Sequence, residues 1–541
     1  GEGARGCCVL DVCGSSGMGL RRSCDVIRLG SRVILPVLPV GALTSKPYAF
    51  TSRSWELKST DSIDVFDAVG SHIRVDTRGS EIMRILPRVN EEINEEFISD
   101  KVRFAYDGLK RQRLTVPLVR NGNGEFVPLG WDKARMLMGE VILQLGRLQR
   151  REPSAGHEVH AVVGPMIDVE TLAEFRNQFY RYFPSGDVHV QDLPGLAAAL
   201  PSDFRHSYLL NSKIAGLENS DVVLLVGCDP RREAPLINAR LRKGILHRGM
   251  LVGSVGSPAN LTYPYEHLGH SIATLKQIAD GRHPFCVKLA QARQPSLIVS
   301  VGALQRVDGP AIYDMCQAIA KHGRLLKEDW NGFNVLHKAA SAVGALDIGF
   351  QSKYRGLRTV DCSKHPWERA RLVFLLGADD VDNLSLSSNC FVVYIGSHGD
   401  RGAEMANLIL PAAAFTEKNS TFVNTEGRVQ RTNLAFYPPG KALHDAKVLQ
   451  DILGAEVGIP VGVESESDFS SLGPHLFENS DRTISDPILG IDNGLPERPT
   501  YPFTGQPLGQ TVDNFYMTGP VTRSSAVMAK CTRVQRMSNF D

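Results

Sequence analysis

The runs Val222–Val226, Leu297–Val299, Leu372–Leu376 and Phe391–Ile395 are apolar at every position, and three of them stop at a glycine, Gly227, Gly377 or Gly396. A strand with one wet face alternates apolar and polar residues, so unbroken runs of this length belong to strands covered on both faces. Helical stretches lie between them, which implies parallel strands joined by right-handed crossovers. The fold class is therefore α/β with parallel, Rossmann-like sheets. With 541 residues the chain exceeds one ordinary core, and roughly two to four domains, or one large α/β body with appendages, are expected.

The units around these runs can be read from their periods. Ala134, Leu137, Met138, Val141, Leu145 and Leu148 recur at helical spacing, so the segment opened by Asp132 is an amphipathic helix over a sheet. His160-Ala-Val-Val163 is a short strand broken by Gly164-Pro165, and Asp168 caps a helix whose Leu172, Phe175, Phe179 and Tyr182 form one face. Ahead of this body, His72–Asp76 and Glu81–Leu86 read as a hairpin turning at Arg78-Gly79. Asn90 to Arg113 is acidic and then basic, and is expected to pack as short helices and loops. Residues 1 to 36 have no period, and after about Leu449 Gly, Pro, Ser and Asp dominate, so an irregular tail is expected.

Charge excludes some partners. Lys and Arg (60) balance Asp and Glu (59), so there is no general pull toward nucleic acid or anionic lipid. The apolar stretch Val33–Leu43 is too short for a bilayer and holds Pro36 and Pro39, so no direct membrane span is expected. The ten cysteines are too sparse for a disulfide scaffold; Cys228, Cys286, Cys316, Cys362, Cys390 and Cys531 are scattered, as suits a reducing compartment. Because the chain begins at Gly1 rather than Met, its natural amino terminus is expected to be absent or processed, and no targeting segment can be read.

The short motifs do not carry chemistry. Gly14-Ser-Ser-Gly17-Met-Gly19 follows an apolar stretch but has neither the G-x-G-x-x-G order nor a P-loop ending. His157-Glu158-Val159-His160 enters a strand, whereas H-E-x-x-H zinc sites sit on helices, so it reads as solvated polar residues at a strand edge. Cys7, Cys8, Cys13 and Cys24 are close together but contain no C-x2-C step. No G-x-S-x-G elbow occurs.

Longer segments do carry a resemblance. Pro39-Val-Gly-Ala-Leu-Thr-Ser-Lys-Pro-Tyr-Ala-Phe50, the stretch Asp64 to Arg113 with Arg84-Ile-Leu-Pro-Arg88, and Asp221 to Arg242 resemble the 75 kDa iron–sulfur subunits of respiratory complex I. Leu410 to Lys418 and Phe422 to Gln430 are similar to a pattern which that family shares with molybdopterin oxidoreductases, and Asn514–Thr518 and Met528–Cys531 again look like the mitochondrial subunits. The resemblance implies a molybdopterin-oxidoreductase-like body in a subunit of NADH:ubiquinone oxidoreductase, placed at the matrix side of the mitochondrial inner membrane. It also implies peripheral-arm partners: flavin-bearing, ferredoxin-like and quinone-module subunits.

The complete family subunit carries [2Fe-2S] and [4Fe-4S] clusters, and here the resemblance meets departures. Leu38 stands where the family has a ligating Cys, and the positions matching a C-x2-C-x3-C and later Cys set are Asp64, Asp67, Ser71 and Ser99. None offers a thiolate. The segments Cys228 to Glu233 and Asn424 to Arg428 correspond to loops that face the pterin in the enzymes. The expected plan is a divergent terminus at 1–36, a remnant of the iron–sulfur segment at 37–61, a small β module at 62–115, the α/β body at 116–448 and the tail at 449–541. The expected role is structural docking within an electron-transport complex whose iron–sulfur wire is missing from this chain. No catalytic, cofactor-binding or metal-ligating residue is assigned, and no cofactor is expected from the ligands present. The alternative is a molybdopterin-dependent oxidoreductase with its own cleft, and a weaker one is a nucleotide-binding dehydrogenase.

Overall fold

Strands that are apolar on both sides need helices on both sides, and the chain satisfies this twice. Val222–Val226 lies at the centre of a five-stranded parallel sheet in the order Glu266–Gly269, Leu251–Val255, Val222–Val226, Pro295–Ser300, Phe333–Leu336. Leu372–Leu376 lies within a second sheet of seven, ordered Phe126–Pro128, Leu118–Arg120, Leu408–Pro411, Phe391–Gly396, Leu372–Leu376, Val159–Val163, Asp187–Val190. Its last five strands are parallel, and the two short ones join antiparallel at the edge. Every residue of Val222–Val226 and Leu372–Leu376 is buried, each contributing about 1.5–3 kcal/mol for a side chain of this size. This computed structural model describes residues 45, 47–151, 158–190, 205–306, 308–350, 369–381, 386–387, 389–453, 507–509 and 512–538. The divergent terminus at 1–36, Leu38 and the thiols Cys7, Cys8, Cys13, Cys24 and Cys362 lie outside the described residues.

The helices begin where the caps stand. Asp168 accepts the Thr171 N–H at 2.8 Å and opens Val169–Tyr182. Phe175 and Phe179 of that helix pack on Phe374 of the seven-stranded sheet, with ring centroids 5.9 and 6.1 Å away. Trp131–Arg151 forms the long helix expected after Asp132.

The small β module is a three-stranded antiparallel sheet, Lys58–Ile63, His72–Arg78 and Glu81–Pro87. Gly79 makes its turn with φ 63°, a conformation that costs glycine little. Asp100–Phe104 and a 3-10 turn, Ala105–Lys110, follow. Within the segment expected to be irregular, the described residues include the helices Pro520–Ser524 and Ala526–Ser538. Met528 and Cys531 pack into the same buried cluster as Val102, Phe104 and Leu109 of the module. The Asp107 carboxylate accepts the Ala526 and Val527 N–H groups at 3.0 and 3.3 Å, so the module caps the last helix.

Candidate functional site

In α/β folds ligands bind outside the carboxyl ends of the strands, where the strand order reverses. The five-stranded sheet reverses between Val222–Val226 and Pro295–Ser300, and the seven-stranded sheet between Val159–Val163 and Leu372–Leu376. At the first crevice the chain leaves Val226 through Gly227, held at φ 55°. Cys228–Glu233 follows there, as its resemblance to a cofactor-facing loop implies. Ser300 donates to the Glu233 carboxylate at 2.6 Å, and the Asp229 N–H donates to the other Glu233 oxygen at 3.0 Å, which ties the two sides together. Leu508, 1% exposed, lies over the same loop: a Cβ on Gly227 would sit 3.8 Å from its side chain, and the Ser257 N–H donates to its carbonyl at 2.9 Å.

The second crevice is narrow at its floor, since a Cβ on Gly164 would fall 1.9 Å from the Gly377 carbonyl oxygen. Its walls include Met166, Ile167, Gly396 and Ser397, and Pro520 and Val521 line it from the tail. The carboxyl-terminal segment of the chain thus contributes residues at both reversal points.

These residues do not fit a pterin-bound metal. Among the described residues Cys228 is the thiol nearest the first crevice, and burial, with Glu233 and Asp229 beside it, pushes it well above the usual thiol range. A metal ligand must be the thiolate. Asn424–Arg428, the other expected cofactor loop, is the turn between Ser420–Val423 and Val429–Thr432; its first two residues are taken up by protein contacts, while Glu426 and Arg428 line a cavity of about 330 Å³. Thr425 donates its N–H to the Ala68 carbonyl at 2.7 Å, and the Asn424 side chain donates to the Val69 carbonyl at 3.2 Å.

Those contacts lead to the loop between Lys58–Ile63 and His72–Arg78, which carries Asp64, Asp67 and Ser71. The structure brings these residues into one buried loop, with Ser99 as the cap of the neighbouring helix Asp100–Phe104. Asp64 and Asp67 each turn the backbone by accepting an N–H two residues on, from Phe66 at 2.8 Å and Val69 at 2.9 Å. Gly70 is at φ 69°, and a Cβ there would strike the Gln430 side chain at 1.9 Å. Lys101, 3% exposed, donates to the Phe66 carbonyl at 2.8 Å and to Thr518 Oγ1 at 3.2 Å. The second oxygens of Asp64 and Asp67 and the hydroxyls of Ser62 and Ser71 are buried without hydrogen-bond partners.

Burial dominates the electrostatics of this loop. It pushes Asp64 well above the carboxylate range, with Asp67 adding to the rise, and it raises Asp67 less because Lys101 opposes it. Burial also lowers Lys101. The loop thus sets two buried carboxyls whose ionisation burial disfavours near an amine that burial also pushes toward its neutral form, with the field of Lys101 favouring the charged form of both acids. Oxygen donors with an ammonium among them do not fit an iron–sulfur cluster, which requires thiolate. Lys101 was not expected from the sequence, where it reads as one more charge in a polar run.

One reading is corrected outright. His160 is not a solvated edge residue: it is fully buried, and its neighbour Glu158 is ion-paired with Arg371. His157 lies outside the described residues. Strand Asp187–Val190 shields His160 from solvent.

Comparison with known proteins adds the family context. The family model described as "Molybdopterin oxidoreductase" matches residues 113–455. "NADH-ubiquinone oxidoreductase NDSU1/NuoG-like, 4Fe-4S domain" matches residues 57–107, and the C-terminal model of the G-type subunits of NADH-ubiquinone oxidoreductase matches 498–531. The chain is 42% identical over 519 residues to the NADH-ubiquinone oxidoreductase 75 kDa subunit of Reclinomonas americana, covering 93% of this chain and 72% of that one. It is 41% identical to NADH dehydrogenase [ubiquinone] iron-sulfur protein 1, mitochondrial, of Solanum tuberosum, covering 92% of this chain and 64% of the relative. It is 40% identical to the mitochondrial 78 kDa subunit of Neurospora crassa, covering 93% and 66%. The chain therefore spans about two thirds of the length of these relatives. The match over 57–107 corrects the expectation that the iron–sulfur wire is missing: a module of the family's 4Fe-4S domain is present, although that stretch contains no cysteine.

Proposed function

The chain belongs to the family of NADH-ubiquinone oxidoreductase 75 kDa subunits, and from that premise we propose that it serves complex I as a packing and docking part of the peripheral arm. Its 57–107 module then acts as a folded spacer rather than a relay. The observation that carries this reading is the loop of Asp64, Asp67 and Ser71, with the Lys101 amine buried against it where a cluster would need thiolates. The residues that the carboxyl-terminal segment contributes at both reversal points, Leu508 at one and Pro520 and Val521 at the other, support it.

In this reading the partners are the flavin-bearing, ferredoxin-like and quinone-module subunits, and the site of action is the matrix side of the mitochondrial inner membrane. The printed names of two relatives carry the word mitochondrial. Among the described residues no helix is long and apolar enough to cross a membrane, so attachment to the membrane falls to other subunits.

The test is a tagged chain expressed in mitochondria and followed on native gels. Co-migration with NADH dehydrogenase activity is expected, with no iron–sulfur paramagnetic signal from the isolated chain that depends on residues 57–107. A chain that stays monomeric overturns docking. A reduced-state signal abolished by changing Asp64 and Asp67 to Asn overturns the spacer reading.

A further inference from the structure

Two parallel strands at the edge of the seven-stranded sheet bring together three side chains, one of them far from the others in sequence. The register pairs His160 with Asp187 and Val162 with His189. Side chains alternate along strands, so His160, Asp187 and His189 share one face. Their donor atoms, two imidazole nitrogens and a carboxylate oxygen, all lie within 4.8 Å of one another. The His160 and His189 rings are 5.9 Å apart. His189 Nε2 is 3.1 Å from Asp187 Oδ2.

The setting is unusual for such groups. His160 is fully buried between Val159 and Ala161 in a strand buried along its whole length. Val162 and Val373 on the same side belong to an apolar cluster. Burying an imidazole and a carboxylate together costs free energy that specific partners must offset. Glu158, on the same face one step earlier, is engaged by Arg371.

We propose that His160, Asp187 and His189 form a binding site for a divalent first-row transition-metal ion, zinc by preference. Two imidazoles and one carboxylate are a donor set that zinc takes with three protein ligands and a solvent molecule in the fourth position. Tetrahedral zinc with bonds of about 2.0–2.2 Å sets neighbouring donors roughly 3.3 Å apart. The His189–Asp187 pair already has nearly this spacing at 3.1 Å, and the His160 donor, within 4.8 Å of both, would have to close in on binding. His189, whose side chain is 17% exposed, gives the ion its route in. His160 and Asp187 lie at the amino ends of their strands, whereas the reversal-point crevice of this sheet lies at the carboxyl ends, so the site does not depend on the complex I role.

The experiment uses the full chain with Cys7, Cys8, Cys13 and Cys24 changed to Ser, which removes the clustered thiols that would otherwise compete. Zinc is titrated calorimetrically, and cobalt replaces it for absorption spectroscopy. One equivalent of zinc per chain is expected, with ligand-field bands of tetrahedral intensity for cobalt. His160→Ala and His189→Gln should each weaken binding by at least about tenfold and abolish the bands. Because His189 is partly exposed, His189→Gln carries the test if His160→Ala fails to fold. Absence of a zinc equivalent in the parent, or undiminished binding in His189→Gln, overturns the proposal.

Discussion

Asp64 is a carboxyl group whose ionisation the fold disfavours. Burial is the main cause of its raised pKa and the nearby Asp67 the second. The folded chain therefore holds a proton that the unfolded chain gives up above about pH 4. Stability from this group is fully present below that pH and is lost as pH rises toward the raised value. Asp64→Asn should accordingly be near neutral at about pH 4 and stabilising at about pH 8, with a gain of at most about 1.4 kcal/mol per pH unit. Urea midpoints at the two pH values measure it, and a gain that does not grow with pH would show that Asp64 is ionised in the fold. The positions of Asp64, Asp67, Ser71 and Ser99 were legible through the family resemblance, because these residues stand where cysteines would. The Lys101 amine was not, since nothing local says that a charge in a polar run folds over a loop 35 residues earlier. The same limit hid His160, Asp187 and His189, which meet only through strand register.

Among elements, the ones read correctly are those whose signal is local. Unbroken apolar runs located four parallel strands, and Asp168 located a helix start. What escaped is held by distant contacts. Lys58–Ile63 is mostly polar, and its first four residues are not buried, so no apolar alternation marks it. Lys418 shows how strong such contacts are. It is buried between Asp168, the cap of Val169–Tyr182, and Asp445, in the first turn of Asp445–Leu453. Burial alone would raise Asp168, but Lys418, with His444 and the hydrogen bonds from Lys418 and Thr171, holds it down to about 2. A depressed carboxyl contributes stability above its unfolded pKa, near 4, that is lost as pH falls toward about 2. Lys418→Met leaves two buried carboxylates without their cation and should cost about 3–5 kcal/mol near neutral pH. The gap between parent and variant should narrow as the acid limb is approached. Chemical denaturation across that range checks it, and a gap below about 1 kcal/mol at neutral pH, the scale of an exposed pair, would mean that the two helices are not pinned through this lysine.

At the scale of the whole molecule, the α/β class and the antiparallel module were open to sequence reading, while the work of the tail was not. Gly519-Pro520 reads as a breaker, and helices as short as Pro520–Ser524 have little stability of their own. They form because the rest of the chain receives them. Asp107 caps Ala526–Ser538, Arg523 pairs with Asp400 at 2.6 Å and Asp380 at 2.8 Å, and Thr518 accepts from Lys101. Leu508 covers one sheet's reversal point, and Pro520 and Val521 line the other. One segment thus joins the module to both sheets, so its removal should be felt in three separated places at once. A chain ending at residue 506 is expected to keep its central strands, because Val222–Val226 and Leu372–Leu376 are buried by their own helices. Amide exchange should instead rise at Phe66–Ser71, at Gly227–Glu233 and around Gly377. Local opening of this kind reports the free energy of the contacts removed. Unchanged protection at Gly227–Glu233 would show that Leu508 does not seal that crevice, and the open-cleft alternative would regain its footing.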